Sequence, residues 1–276
     1  DADDRATRSR NQRLLYRAID QYPDEPYFRY QLACELAVHL EDQILPVKGF
    51  SGMARELETA IEQTRQLDER RWAQLSYGPD LYARAASVAL ASGDADEAMR
   101  ICTEGLERFG EGSLLRFTQG RALFAAARTE SGDRARELRA AAAARMHLML
   151  ERDASLEPAP ISDAYFATYP LRYLGLIALA DGDLDEARRC FRAALERNPD
   201  YTGALCGLAQ VAEREGRVRD ALQVYLKVLS LNDKDVDAWL GGVKVLVGLG
   251  FDDNARSWLQ KLACFVPEDR RVESLL

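Results

Sequence analysis

The chain has 276 residues, of which 47% are hydrophobic and 30% charged, so it can bury a sizeable core. Its formal net charge of -8 repels the phosphate groups of nucleic acid and of anionic lipid surfaces. No apolar run approaches the ~20 residues that cross a bilayer, and the first residues contain no apolar signal core. We therefore expect a protein that neither binds nucleic acid nor inserts into a membrane.

The cysteines indicate a reducing compartment. Cys34, Cys102, Cys190, Cys206 and Cys264 are odd in number, are widely spaced and include no CxxC pair. This spacing disfavours both a disulfide framework and a structural zinc site. We expect each cysteine to be a small buried apolar residue in a cytoplasmic protein.

The N-terminal region, residues 10–78, predicts irregular helical repeats with an enlarged turn. The stretch RNQRLLYRAIDQYP predicts a helix that ends at Pro23, and PYFRYQLACELAVHL, residues 26–40, predicts the next helix. Residues 40–52 predict an enlarged turn before the helix MARELETAIEQTRQL. Long connections between helices are uncommon in compact folds and are often functional.

Residues 79–160 predict one regular helical hairpin and one degenerate hairpin. Small and apolar residues are arranged around the turn ASGDADEA in the order Tyr82, Ala85, Ala86, Ala89, Gly93, Ala98 and Cys102. Residues 114–127 and 134–150 predict the two helices of the degenerate hairpin. Residues 157–165 contain two prolines and predict a loop.

Residues 161–267 predict three well-formed hairpins, because their sequence repeats at a fixed interval. Two small residues recur every 34 positions: Ala187, Ala221 and Ala255, and Gly182, Gly216 and Gly250. A larger apolar residue follows each alanine four positions later. Residues 268–276 predict the start of a capping helix. The whole chain therefore predicts about five and a half helical hairpins and shows no strand pattern.

The small and large residues that recur in this 34-residue repeat have different roles. Gly175 and Ala187 allow the two helices of a hairpin to approach closely, whereas Phe191 fills the gap between neighbours. Gly182 lies in the turn, where a positive φ is favourable for glycine. Asp183 lies at the start of the following helix, where its carboxylate can accept hydrogen bonds from free backbone N–H groups.

The interval resembles the tetratricopeptide repeat, a helix-turn-helix unit with the pattern W-x2-L-G-x2-Y…A-x3-F…P. Agreement is strongest over residues 171–267 and looser before them. The resemblance implies an all-α fold, a right-handed superhelical solenoid of antiparallel helix pairs that runs through residues 1–276 as a single domain. It also implies a protein-interaction scaffold. Co-chaperone members hold a peptide C-terminus with asparagines where this chain has Tyr173, Gly207 and Gly241, which disfavours that role.

The sequence offers no catalytic constellation. Its two histidines, His39 and His147, do not have HExxH spacing. It has no phosphate-binding loop and no nucleophile elbow. The acidic pairs that include Asp94 and Asp183 lie in repeat turns, where helix capping explains them better than metal binding. We predict a non-catalytic chain without cofactor or metal residues, and an enzyme is the disfavoured alternative.

A partner-binding face is predicted on the first helices of the hairpins, which line the concave side of such a solenoid. Ten residues, the predicted groove residues, project onto this face: Tyr27, Tyr30, Gln31, Arg84, Arg121, Tyr169, Tyr173, Gln210, Arg214 and Lys244. The set contains rigid tyrosines and carboxylate-binding arginines but no carboxylate. It predicts a protein or extended peptide with acidic groups as the partner. The alternative is that these residues are ordinary solvated or packing side chains.

A second resemblance covers residues 10–38, RNQRLLYRAIDQYPDEPYFRYQLACELAV. This segment looks like the one that follows the catalytic domain in bacterial family 2 glycosyltransferases with C-terminal tetratricopeptide repeats. The resemblance implies an upstream domain that binds a nucleotide sugar and a divalent metal. The repeats would then present the acceptor or join subunits. The alternative is a stand-alone scaffold or adaptor protein.

The C-terminus predicts self-association. Val272, Leu275 and Leu276 form an apolar edge on the terminal helix. A capping helix or a second subunit could cover this edge, so we expect a homodimer as one arrangement of the chain.

Overall fold

The computed structural model describes residues 2–41, 47–110, 112–152, 162–265 and 272, and these residues contain no strand. Their helices are α1 (Ala2–Gln21), α2 (Pro26–Glu41), α3 (Val47–Gln66), α4 (Glu69–Trp72), α5 (Gly78–Ala91), α6 (Ala95–Phe109), α7 (Ser113–Ala126), α8 (Gly132–Glu151), α9 (Thr168–Asp181), α10 (Leu184–Arg197), α11 (Thr202–Arg214), α12 (Val218–Leu231), α13 (Val236–Gly248) and α14 (Asp252–Phe265). A short 3-10 helix, Asp163–Phe166, precedes α9. Among these helices none is both long and apolar enough to cross a bilayer.

Consecutive helices pack as hairpins, which makes the partners antiparallel because the turns between them are short. The hairpin pairs are α2 with α3, α5 with α6, α9 with α10, α11 with α12, and α13 with α14. Neighbouring hairpins also pack against each other, through α3 and α5, α10 and α11, and α12 and α13. The predicted all-α class is confirmed.

The chain divides into two compact units, Asp1–Ala125 and Ala126–Leu276. The first unit contains α1 to α6 and nearly all of α7. The second unit contains α8 to α14. The single solenoid over residues 1–276 stays a prediction.

The repeat turns form as the sequence predicts. Gly182 ends α9 with a φ of 85°, in the left-handed region that favours glycine. Asp183 then caps α10, where its side chain accepts a hydrogen bond from the Glu186 backbone N–H at 2.9 Å. Asp94 caps α6 in the same way through the Glu97 N–H, also at 2.9 Å. The capping interpretation of both aspartates is confirmed.

The cysteines agree in part with the expectation of buried apolar residues. Cys102, Cys190 and Cys206 are buried, Cys34 is half-buried, and Cys264 is exposed, which corrects the prediction at that position. Burial raises the pKa of Cys102 to about 12. Burial, with the hydrogen bond to Glu186, raises the pKa of Cys190 to about 12 as well.

Two predicted turns and the C-terminal edge need correction. Helix α3 begins at Val47, so the enlarged turn predicted for residues 40–52 is wrong from Val47 onward, and residues 42–46 lie outside the described residues. Of the loop predicted over residues 157–165, the last residues belong to the 3-10 helix and the first five lie outside the described residues. Val272 is 1% exposed and therefore buried, not part of an exposed apolar edge.

A carboxylate links three helices of the first unit. Arg65 of α3 donates two hydrogen bonds to Glu104 of α6, at 2.9 and 2.6 Å. The buried Tyr82 of α5 donates a third from its hydroxyl, at 2.9 Å. These bonds, with the one from Arg65 foremost, hold the pKa of Glu104 below its usual value although burial opposes them. Glu104 is thus the shared acceptor of α3 and α5.

Because its folded-state pKa is lowered, Glu104 stabilises the fold above its unfolded-state pKa, and this contribution is lost as the pH falls through the lowered value. We expect Glu104→Gln to lower the free energy of unfolding at pH 7 by on the order of 1 kcal/mol, a small value because Arg65 is partly exposed. The difference from the unaltered protein should shrink below about pH 4. Urea unfolding at pH 7 and below about pH 4 measures the difference in free energy between the two proteins. A difference that does not change with pH would contradict a stabilising role of the ionised Glu104.

Aromatic rings on second helices pack against glycines on first helices in the second unit. The ring of Phe191 on α10 is fully buried between α9 and α11. A Cβ at Gly175 would lie 2.6 Å from this ring, and one at Gly207 would lie 2.3 Å from it. The predicted role of Gly175 in close helix approach is confirmed, and Gly207 has the same role on the following hairpin.

We expect Gly207→Ala to destabilise the protein by about 1–3 kcal/mol, because the new methyl group would overlap the Phe191 ring. The matched control is Gly248→Ala, also in a helix, where a Cβ would have no heavy atom within 4 Å. This control should be neutral or more stable by up to about 1 kcal/mol. The midpoints of urea unfolding compare the two variants. Equal shifts in both would contradict the packing argument.

Candidate functional site

Five predicted groove residues lie on three first helices of the first unit. Tyr27, Tyr30 and Gln31 lie on α2, Arg84 lies on α5, and Arg121 lies on α7. Tyr27 is the most accessible tyrosine of this group, at 42% exposed. Its ring centroid lies 5.3 Å from that of Tyr77, which precedes α5. Among the predicted groove residues of the first unit, Tyr27 therefore supplies the accessible aromatic surface, and it packs edge-on against Tyr77.

Tyr30 is a core residue and not a groove contact, which corrects the prediction for this position. It is 8% exposed, and its ring stacks on that of Tyr77 with centroids 4.9 Å apart. Its hydroxyl donates a hydrogen bond to Asp80 at 2.5 Å. Burial and the interaction with Asp80 raise the pKa of Tyr30 above its usual value.

The two arginines of this group already have polar partners within the unit. Arg84 donates from Nε to Asp80 at 2.5 Å, so one carboxylate accepts from both Tyr30 and Arg84. Arg121 donates to the hydroxyl of Ser87 at 3.2 Å. The charge of Arg84 is therefore largely compensated by Asp80.

In the second unit, the structure brings three predicted groove residues into one pocket. Gln210 and Arg214 of α11 and Lys244 of α13 line an open cavity of about 290 Å³. We call this cavity the α11–α13 pocket; its lining residues are Leu179, Gln210, Glu213, Arg214, Tyr225, Asp237, Leu240, Gly241 and Lys244. The lining combines two acidic and two basic side chains.

The most enclosed charge of the α11–α13 pocket is a carboxylate. The side chain of Glu213 is only 10% exposed. It accepts a hydrogen bond from the Tyr225 hydroxyl at 2.6 Å, and it forms an ion pair with Lys244 Nζ at 2.7 Å. The Lys244 side chain is 75% exposed, so it reaches Glu213 from the solvent side. Burial, followed by the bond to Glu213, raises the pKa of Tyr225 above its usual value.

Local packing explains why these groups meet. A Cβ at Gly241 of α13 would lie 2.3 Å from the Tyr225 ring, so only a glycine leaves room for the ring there. This close approach directs the Tyr225 hydroxyl to Glu213. Gln210, Glu213 and Arg214 share one face of α11, because residues three and four positions apart are neighbours on a helix.

Tyr169 and Tyr173, the remaining predicted residues, belong to a half-buried aromatic cluster at the start of α9. The Tyr169 ring lies 5.0 Å from that of Tyr165 and 5.6 Å from that of Tyr201. Arg172 lies over the Tyr173 ring, with its guanidinium carbon 5.4 Å from the centroid. Burial raises the pKa of Tyr201 to about 12.

Arg172 connects this cluster to the α11–α13 pocket. A Cβ at Gly203 of α11 would lie 2.6 Å from Arg172 Nε, so the side chain crosses α11 at a glycine. Its Nη2 then lies 3.9 Å from Oδ2 of Asp237 on α13. Arg172 thus links the start of α9 to Asp237, one of the lining residues of the pocket.

Sequence projection missed a carboxylate beside the predicted groove residues in each unit, Asp80 in the first and Glu213 in the second, and two signals could have found them. Asp80 precedes Arg84 by four positions, the spacing of helical ion pairs. Glu213 stands one 34-residue interval after Leu179 and one before Val247, so it is an acid at a position that is apolar in both neighbouring repeats. The predicted set therefore left out two acids that pair with its members, Asp80 with Arg84 and Glu213 with Lys244.

Comparisons with known proteins agree with this architecture. A model of the Tetratricopeptide repeat family matches residues 174–236. The chain is 30% identical over 103 residues to anaphase-promoting complex subunit 3 of Schizosaccharomyces pombe, a match that covers 37% of this chain and 16% of that protein. The crystal structure of the APC/C hetero-tetramer Cut9-Hcn1 has a TM-score of 0.62 at 14% identity, with 98% of this chain and 45% of that chain covered. A thermophilic tetratricopeptide-repeat protein of Thermus thermophilus has a TM-score of 0.58 at 18% identity, with 79% of this chain and 99% of that chain covered.

Residues 174–236 therefore match the tetratricopeptide repeat by sequence. At these identities the solved structures establish the helical-hairpin fold alone. The chain spans about 16% of the curated relative and 45% of the Cut9-Hcn1 chain that it matches. The tetratricopeptide prediction is confirmed at this level.

Proposed function

We propose that the chain is a non-catalytic scaffold whose first helices hold a segment of a partner protein. The observation that carries this proposal is the convergence of Gln210, Arg214 and Lys244 in one open pocket. An open cavity with polar groups from two successive first helices suits an extended segment better than an enclosed small molecule. The names of anaphase-promoting complex subunit 3 and of the Cut9-Hcn1 hetero-tetramer, which denote parts of assemblies, agree with such a role.

Arg214 is the residue of this chain that supports an acidic partner. This side chain is exposed, and it forms no ion pair with any other described residue. Arg84 and Lys244 are already paired with Asp80 and Glu213, so they contribute less to an anionic preference. We propose that an acidic group of the partner lies over Arg214, and that Tyr173 on α9 supplies aromatic contact area for another part of the same segment.

We expect the paired change Tyr173→Ala and Arg214→Ala to weaken binding of extended acidic peptides by at least about tenfold, the loss typical of two interface anchors. Peptides selected on the unaltered protein from a display library would be titrated against both proteins. The control is Arg219→Ala, an exposed arginine of the second helix α12. Equal affinity of the paired variant, with helical circular dichroism intact, would remove this surface from the proposal.

We further propose that the chain is the C-terminal region of a larger bacterial protein of the glycosyltransferase type. The resemblance of residues 10–38 supports this proposal, and the repeats would present an acceptor or join subunits. The alternative is a stand-alone adaptor. A cytoplasmic location is proposed for both, on the cysteine pattern.

The size of the native protein separates these two proposals. We expect an immunoblot of source cells, with an antibody raised against this chain, to show a band well above 30.9 kDa. Sugar transfer from a nucleotide sugar would then be measured on that larger protein with and without the repeats. A band near 30.9 kDa would leave the stand-alone adaptor.

A homodimer is a separate proposal. It now depends on Leu275 and Leu276, which lie outside the described residues, because Val272 is buried. Light scattering that gives only the monomer mass at high concentration would refute it.

A further inference from the structure

The charges of the α11–α13 pocket are arranged by depth. Glu213 is nearly enclosed, whereas Lys244 is mostly in solvent and Arg214 is exposed. Asp237, at the rim, is half exposed. Solvent screens an exposed charge strongly and an enclosed charge weakly. The enclosed part of the pocket therefore has the field of a carboxylate, although the lining as a whole is balanced.

The chain itself shows what this carboxylate binds. The Lys244 ammonium lies 2.7 Å from Glu213, next to the Tyr225 hydroxyl. This lysine occupies the place that a cation from another molecule would take. The Lys244 side chain is mostly in solvent, so its ammonium can return to water, whereas the enclosed Glu213 then needs another cationic donor in its place. Once Lys244 has left, Glu213 retains the Tyr225 hydroxyl and has room for a further donor.

A guanidinium suits this position better than a second ammonium. Its planar donors can bond more than one acceptor at once, and the pocket lining contains Glu213 and, at the rim, Asp237, which also lies 3.9 Å from Arg172. Leu179 and Leu240 supply apolar walls for the methylene stem of a long basic side chain. A cavity of about 290 Å³ can accommodate such a side chain.

We propose that the α11–α13 pocket binds a basic side chain, preferably arginine, of the partner segment. Glu213 would be the main acceptor of this side chain, and the incoming arginine would displace Lys244 from Glu213. This proposal rests on the proposed partner-binding role of the same surface and adds a cationic residue to the acidic partner expected there. The basic side chain would enter the pocket while an acidic neighbour lies over Arg214.

The test is an NMR titration of the full chain with three capped tripeptides that differ only at the central residue: arginine, its neutral analogue citrulline, or glutamate. We expect the arginine peptide to shift the backbone amide signals of α11 and α13 and to bind at least about tenfold more tightly than the citrulline peptide. Binding of the citrulline peptide with equal affinity would overturn the proposal. So would preferential binding of the glutamate peptide.

Substitutions of the pocket residues test whether each charge strengthens or weakens binding of the arginine peptide. Lys244→Met keeps the stem and removes the competing charge, so it should tighten binding of the arginine peptide by about two- to fivefold. Glu213→Gln should weaken it by about tenfold. If Glu213→Gln lowers helical content, Asp237→Asn at the rim replaces it and should weaken binding about threefold. Weaker binding of the arginine peptide to Lys244→Met would contradict the displacement of Lys244 and overturn the proposal.

Failure of this proposal and failure of the scaffold role give different results. If none of the tripeptides binds while the selected peptides still depend on Tyr173 and Arg214, the cation pocket is refuted and the scaffold role stands. If the selected peptides do not depend on that pair either, the partner-binding role of this surface is refuted as well.

Discussion

The second unit depends on one recurring contact, an aromatic ring of a second helix against a glycine of a first helix. Phe191 packs between Gly175 and Gly207, and the ring one interval later, Tyr225, packs on Gly241. Glycine is required at these points because a Cβ would overlap the ring. Since interiors are close-packed, the thickness of a ring then sets the separation of neighbouring first helices. The surface between those helices follows from this spacing.

The α11–α13 pocket is a consequence of the same contact. Where Phe191 has only carbon atoms, Tyr225 has a hydroxyl, and the hydroxyl reaches Glu213. A carboxylate at an otherwise apolar repeat position thereby gains the hydrogen bond that lets it remain enclosed. A substitution of phenylalanine by tyrosine within the repeat pattern, combined with one acid, is enough to convert a packing position into a polar pocket.

In both units, cations of the predicted groove set form ion pairs with carboxylates of the same unit. Asp80 pairs with Arg84 in the first unit, and Glu213 pairs with Lys244 in the second. The cations that the sequence displays are therefore not all available to an anionic partner. In the proposed role of this surface, Arg84 and Lys244 would therefore contribute less to the binding of an acidic group than their charges suggest.

The sequence by itself determined the all-α class, the hairpins and their turns, because a 34-residue interval of small residues, glycines and caps acts through contacts close along the chain. It also placed Gln210, Arg214 and Lys244 on one face, since the interval repeats their helical register. Only the tertiary structure decided that Tyr30 is buried and that Glu213 lies beneath Lys244. Those outcomes depend on contacts between helices, which the register of a single helix does not contain. For the same reason the helical start of α3 at Val47 and the burial of Val272 could not be predicted.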